Sequence, residues 1–151
     1  MRVITGSARG RRLMTLEGEN VRPTPERVKE GLFSIIQFQI EGRRVLDLFA
    51  GSGQLGIEAL SRGAAFATFV ESDREALKCI AENGARLQVN EQMKVLSMPV
   101  ERAVAKLTGP YEIIYVDPPY EFEAKEVLEN LVNHKLVGGI IFLEERFDPK
   151  R

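Results

Sequence analysis

Two short stretches of this chain carry residues whose types and spacing could do chemistry. In Asp47-Leu48-Phe49-Ala50-Gly51-Ser52-Gly53-Gln54-Leu55-Gly56, Gly51, Gly53 and Gly56 have the spacing G-x-G-x-x-G, and Glu71 follows Gly51 by twenty residues. Glycines so placed let a backbone turn tightly and come close to a ligand, and an acid at that distance can accept hydrogen bonds from ribose hydroxyls. The second stretch is Asp117-Pro118-Pro119-Tyr120. Here two prolines stiffen a turn, a carboxylate stands beside a ring-fixed carbonyl, and a tyrosine offers a flat face for an unstacked base.

Two ligands compete for the glycine loop. A dinucleotide would seat its pyrophosphate at the N-terminus of the following helix. The Asp47 carboxylate, four residues before Gly51, would then face a dianion across a short gap, which Coulomb repulsion disfavours. S-adenosylmethionine carries an ammonium and a sulfonium and no phosphate, so an acid beside the loop attracts it. The charge pattern favours the methyl donor. Each acid also has a plainer reading, with Asp47 capping loop amides and Glu71 a solvated strand end.

The Asp-Pro-Pro-Tyr turn suits the other half of a methyl transfer. An exocyclic base amine is a poor nucleophile because its lone pair is delocalised into the ring. Acceptors aimed at its two hydrogens, the Asp117 carboxylate and the Pro118 carbonyl, would localise that pair toward the methyl. The transfer itself is an in-line displacement helped by positioning and electrostatics, and needs no strong general base. The single histidine, His134, is therefore no obstacle. As a plain alternative, a Pro-Pro pair can simply terminate a strand.

Composition excludes other classes. With one Cys and one His, a zinc site is not expected, and Cys79 in an apolar helical stretch reads as a small core residue in a reducing, cytoplasmic setting. The longest apolar run, Leu136 to Leu143, is too short to span a bilayer and holds two glycines, so no membrane association is expected. Net charge is −1 overall, yet residues 1–44 hold nine Arg and Lys against five Glu. Arg2, Arg9, Arg11 and Arg12 all precede the first acid, Glu17. That asymmetry is the pattern of a basic arm on a neutral body.

The elements that must position these residues follow from periodicity. Met1–Thr5 and Arg11–Leu16 read as a strand pair around Gly6–Gly10, and Thr24-Pro25 as the start of a helix to about Ile40 with Val28, Leu32, Ile35 and Ile36 on one face. From Arg44 onward, strand and helix alternate. Val45–Phe49, Phe66–Glu71, Met93–Met98, Ile113–Val116 and Ile140–Leu143 are expected strands, and Leu55–Ser61, a stretch capped by Ser72 and Glu75, 101–107 and 123–133 are expected helices. The pattern predicts a doubly wound α/β domain over 44–151, its mostly parallel sheet covered on both faces, with a basic hairpin-plus-helix extension over 1–43. Its ligands should sit beyond the carboxyl ends of the strands.

Taken together, the loop from Asp47 to Gly56 and the Asp-Pro-Pro-Tyr turn resemble those of class I methyltransferases acting on amino groups. The segments Arg2-Val3-Ile4-Thr5-Gly6, Gly10-Arg11 and Arg22-Pro23-Thr24 through Lys29-Glu30-Gly31-Leu32-Phe33 narrow this: the chain resembles the RsmD family, which methylates N2 of a guanine in bacterial small-subunit ribosomal RNA. The resemblance implies that Asp47, Phe49, Gly51, Ser52, Gly53, Gly56, Glu71, Ser72, Met98 and Pro99 hold S-adenosylmethionine, leaving S-adenosylhomocysteine as product. It implies that Asp117, Pro118, Pro119 and Tyr120 hold the guanine. Arg2, Arg9, Arg11, Arg12, Arg22, Thr24 and Arg27 would grip the RNA, naked or in an assembling small subunit, with a solvated charged face as the plain alternative. A monomer without bound metal is expected. Ser97-Met98-Pro99-Val100 departs from the family, which has an acid there to read the adenine amine, so an apolar clamp and backbone atoms must serve. The family also continues past the fifth strand, which makes Ile140–Leu143 an expected open edge. The readings set against a guanine-N2 enzyme are an adenine-N6 methyltransferase, a donor- or RNA-binding module without turnover, and a nicotinamide-dependent oxidoreductase.

Overall fold

In the computed structural model, residues 26–119 and 123–144 are described. The strand pair expected over 1–16, together with Arg2, Arg9, Arg11, Arg12, Arg22, Thr24 and Tyr120, lies outside them.

Five strands alternate with helices: α1 (Glu26–Ile36), β1 (Arg44–Leu48), α2 (Gln54–Ser61), β2 (Phe66–Glu71), α3 (Arg74–Leu87), β3 (Met93–Ser97), α4 (Val100–Lys106), β4 (Tyr111–Val116), α5 (Ala124–Asn133) and β5 (Val137–Leu143). Every strand pair is parallel, in the order β3-β2-β1-β4-β5. The order reverses between β1 and β4, which makes their carboxyl ends the switch point. β1, β2 and β4 are buried on both faces because helices cover both sides. On one face Phe69, Ile113 and Tyr115 pack with Leu32, Phe33 and Ile57; on the other Leu46, Val70 and Ile114 pack with Val104, Val127 and Leu131.

Most boundaries fall within a residue or two of the sequence expectation, and the larger differences have local causes. α1 stops at Ile36 and turns through 37–39, bringing Ile40 back into the core. Ile35, expected on the buried face, is 67% exposed, and Phe33 and Lys29 are buried instead. α3 is capped by Asp73, whose Oδ2 accepts from the Ala76 N–H at 2.9 Å, and not by Ser72. β5 begins three residues early, running through Gly138 and Gly139, which low strand propensity hides from a sequence reading. Glycine is required at 139, where a Cβ would lie 2.4 Å from the Glu112 carbonyl oxygen. Among the described residues β5 pairs with β4 alone, so it is the open edge expected.

The helix α1 joins this core through an ion pair with no exposure. Lys29 Nζ lies 3.0 Å from Glu58 Oε1 on α2, both side chains being 0% exposed, and Arg62 Nε reaches Glu58 Oε2 at 3.0 Å. The Arg62 guanidinium also lies over the Phe33 ring, 4.4 Å from its centroid, as a cation–π contact. One buried carboxylate thus faces a cation at each of its two oxygens. Its removal takes the Glu58 carboxylate from a buried ammonium, so Glu58→Ala should lower the unfolding free energy by about 3–5 kcal/mol. Breaking the exposed Lys78–Glu75 pair with Glu75→Ala should change it by less than about 1 kcal/mol. Urea denaturation of the two variants measures both, and equal small losses would contradict the buried pair's role.

Candidate active site

The carboxyl ends of β1, β2 and β4 bring both sequence stretches to one edge of the sheet. Backbone hydrogen bonds carry the pairing one step past each strand: Ala50 N–H to the Val70 carbonyl at 3.0 Å, Met98 N–H to the Glu71 carbonyl at 3.1 Å, and Glu144 N–H to the Val116 carbonyl at 2.9 Å. The glycine loop leaves β1 in left-handed backbone, with φ of 56° at Phe49, 60° at Gly51 and 80° at Gly53. At Phe49 that conformation is strained, on the order of 1–2 kcal/mol for a residue with a Cβ, and its packing against the α4/α5 face of the core offsets it.

Two carboxylates fasten the loop. Glu71 Oε1 accepts from the Gly51 N–H at 2.8 Å, while its Oε2 accepts from the Ser72 and Asp73 N–H groups at 3.0 and 2.9 Å. Asp47 Oδ2 accepts from the Gly56 N–H at 3.2 Å, beneath the loop. Asp47 is 1% exposed, and burial, the largest influence, pushes its pKa well above the ordinary 3.8; the Gly56 hydrogen bond opposes this, while the charges of Asp117 and Glu71 reinforce it. The amide-capping role weighed for Asp47 is thus the one its geometry displays.

Sequence reasoning missed two supports. Asn83 on α3, fully buried, donates through Nδ2 to the Ser52 carbonyl at 3.0 Å. Phe69 of β2 packs directly under Gly53 and Gly56. Asn83 could have been noticed as a polar residue within the apolar stripe Ala76, Ile80 and Leu87 of α3. Gln54 Oε1, at the start of α2, is buried and takes no hydrogen bond among the described residues. Of the other expected donor residues, Met98 is half-buried beside Glu71, Pro99 caps α4, and Ser72 is exposed. Asp117 and Pro119 are half-buried and Pro118 is buried, directly following β4. Arg27 lies in the first turn of α1. No group of three or more His, Cys, Asp and Glu side chains suited to a metal occurs among the described residues. Cys79 is buried in α3, as expected, with its thiol pKa raised, first by burial and then by Glu82, Glu75 and Asp73.

Residues 1–149 match a protein family described as conserved hypothetical protein 95. A candidate rRNA methyltransferase of Bacillus subtilis, YlbH, is 41% identical over 136 residues, covering 88% of this chain and 74% of the relative. The ribosomal RNA small subunit methyltransferase D of Escherichia coli K12 is 40% identical over 133 residues, covering 88% of this chain and 65% of the relative. The chain belongs to the RsmD family. In the solved structure of a candidate methyltransferase of Escherichia coli, yhhF, the same fold recurs with a TM-score of 0.87 at 34% identity, over 96% of this chain and 80% of that one. The chain spans about two thirds to three quarters of the length of the two relatives.

Within this RsmD-family site, the residues present fit a cationic nucleoside donor. Among the described residues a Cβ built on Gly51 meets nothing within 4 Å, and Asp47, Glu71 and Asp117 stand at or just past the ends of three neighbouring strands. A Cβ at Gly56 would lie 2.3 Å from the Phe69 ring, so in Gly56→Ala either that ring or α2 must shift. We expect a loss of about 1–3 kcal/mol in stability with weakened donor binding, measured by denaturation and calorimetry; an unchanged melt would contradict the close contact. Asp47 gives a pH signature. Its raised pKa means the folded chain holds that proton more tightly than the unfolded one, so stability falls as pH rises from 3.8 through the folded value and stays lower above it. Asp47→Asn should remove that component of the slope in a pH series of urea unfolding; parallel curves for the two proteins would contradict it.

Proposed function

We propose that this protein transfers a methyl group from S-adenosylmethionine to the exocyclic N2 of a guanine in small-subunit ribosomal RNA. The observation that carries the proposal is the juxtaposition, on adjacent strands β1 and β4, of a carboxylate-fastened glycine loop and the Asp117-Pro118-Pro119 turn. When bound, S-adenosylmethionine supplies an electrophilic methyl on a sulfonium. Membership of the RsmD family supports the RNA substrate and the choice of amine.

The roles of the chain's own residues follow from this placement. Gly51 and Gly53 keep the loop open for the donor, and Glu71 holds that loop while its remaining lone-pair capacity faces ribose hydroxyls. Glu71 and Asp117 give the edge a negative potential that suits a donor with an ammonium and a sulfonium. Asp117 and the Pro118 carbonyl accept the two amine hydrogens and turn the nitrogen lone pair toward the methyl. Tyr120 stacks the extruded base, and Phe49, Ser52, Gly56, Ser72, Met98, Pro99 and Pro119 complete the walls of the two subsites. The basic residues of the segment before and within α1, Arg2, Arg9, Arg11, Arg12, Arg22 and Arg27, with Thr24, hold phosphates. Such an enzyme works in the cytoplasm, on RNA or an assembly particle; no helix of the described residues is long and apolar enough to cross a membrane.

Labelled methyl groups should enter small-subunit RNA or its assembly intermediates, and nuclease digestion should release N2-methylguanosine. Recovery of N6-methyladenosine would overturn the choice of base, and donor binding without transfer to any RNA would overturn the enzyme. Asp117→Ala should reduce transfer by at least about a hundredfold, the scale of losing one preorganised acceptor, while calorimetry shows donor affinity within several-fold. Equal loss of binding and transfer would contradict the acceptor role.

A further inference from the structure

Glu144 follows β5 immediately and lies outside every role described so far. Its N–H donates to the Val116 carbonyl at 2.9 Å, extending the β4–β5 ladder in which Val116 is paired with Leu143. Glu144 is therefore the cross-strand neighbour of Asp117, about 5 Å away along the sheet at ordinary strand spacing. Side-chain alternation puts the two on one face, because Tyr115 and Phe142, each two residues earlier, are paired in register and stack with ring centroids 5.5 Å apart. The Tyr115 hydroxyl donates to Glu144 Oε2. Oε1 takes no hydrogen bond among the described residues, and the side chain is half-buried. A buried tyrosine thus holds one oxygen of a carboxylate that the strand register places beside the proposed amine-binding turn.

We infer that Glu144 is a specificity residue that accepts the N1–H of the target guanine, with Tyr115 positioning it. The inference rests on the proposed guanine-N2 reaction and deepens it. Next to its 2-amino group, a guanine presents N1–H, a donor. An adenine set into the same turn by its 6-amino group presents N1 as a lone pair, an acceptor. A fixed carboxylate attracts the first and repels the second, so it selects the base independently of the acceptors that activate the amine. The donor lies toward β2, where Glu71 and the glycine loop are, so the base must occupy the β4–β5 side, which is where Glu144 stands.

The test uses 2-aminopurine, which keeps the 2-amino group but has a lone pair at N1. The methylated guanosine is located from the wild-type digest, then replaced by 2-aminopurine riboside through splinted ligation of small-subunit RNA, presented naked or in reconstituted particles as the wild type requires. Wild-type kcat/KM should be at least about 100-fold lower on 2-aminopurine than on guanine, as for a site that loses a hydrogen bond to a buried charge. Glu144→Gln keeps an acceptor for Tyr115 and can donate to N1. It should lower guanine kcat/KM about 10- to 100-fold and shrink the guanine-to-aminopurine ratio at least about tenfold, with donor affinity by calorimetry unchanged. Tyr115→Phe frees the carboxylate and should lower guanine kcat/KM several-fold while leaving most of that ratio. Equal effects of Glu144→Gln on both bases, or none on either, would overturn the inference while leaving the enzyme reading intact. A wild type that methylates no guanine would overturn both.

Discussion

The carboxylate of Glu71 is the interaction on which the site depends. Three backbone N–H groups converge on it, from Gly51 in the loop after β1 and from Ser72 and Asp73 at the start of α3. The loop has few other ways to hold a left-handed path that only glycine adopts without strain, and one residue on that path, Phe49, is not glycine. Asp47 fastens the same loop from below through Gly56, and Asn83 fastens it from the side through the Ser52 carbonyl. The loop is therefore a rigid cradle assembled by side chains from β1, β2 and α3. The acids that hold it in shape also set its electrical character, which under the proposed function favours a cation over a pyrophosphate.

Rigidity is carried outward by the ion pair beneath. Glu58 lies on α2, the helix that the glycine loop opens, and its two oxygens face Lys29 of α1 and Arg62 of its own helix. The N-terminal segment is thereby joined to the donor loop through one buried carboxylate, without exposed charge at the join. Leu32, Phe33, Ile36 and Ile40 belong to the same cluster as Phe69 and Tyr115. α1 and the sheet edge that carries the glycine loop thus share a core.

Much of this was legible in the sequence because the strands buried on both faces are short, nearly continuous apolar runs between helices of clear periodicity. The loop and the proline turn stood out because glycine and proline have few substitutes where the backbone must bend. What stayed hidden depended on partners distant in the chain. Lys29 and Glu58 look like ordinary exposed charges until α1 and α2 meet, and Ile35 looks buried until they do. Asp47 was read either as facing a cationic ligand or as capping loop amides, and only the fold shows one of its oxygens accepting from the Gly56 N–H. Ser72 has the spacing of a capping box, yet its neighbour Asp73 caps α3, since the Ser72 N–H is already engaged by Glu71. Glu144 gave no signal, because only the β4–β5 register puts it beside Asp117.

The central claim is that a cationic alkyl donor lies in the loop with its reactive group aimed at the proline turn. Sinefungin, a stable analogue with an amine near the place of the reactive methyl, provides the direct measurement when it is diffused into crystals of the protein. The account predicts its ribose hydroxyls at Glu71, its amino-acid end over Gly51 and Gly53, and its extra amine directed at the Pro118 carbonyl. A bound analogue lying in another groove, or one in the loop with that amine turned away from Asp117 and Pro118, would contradict it.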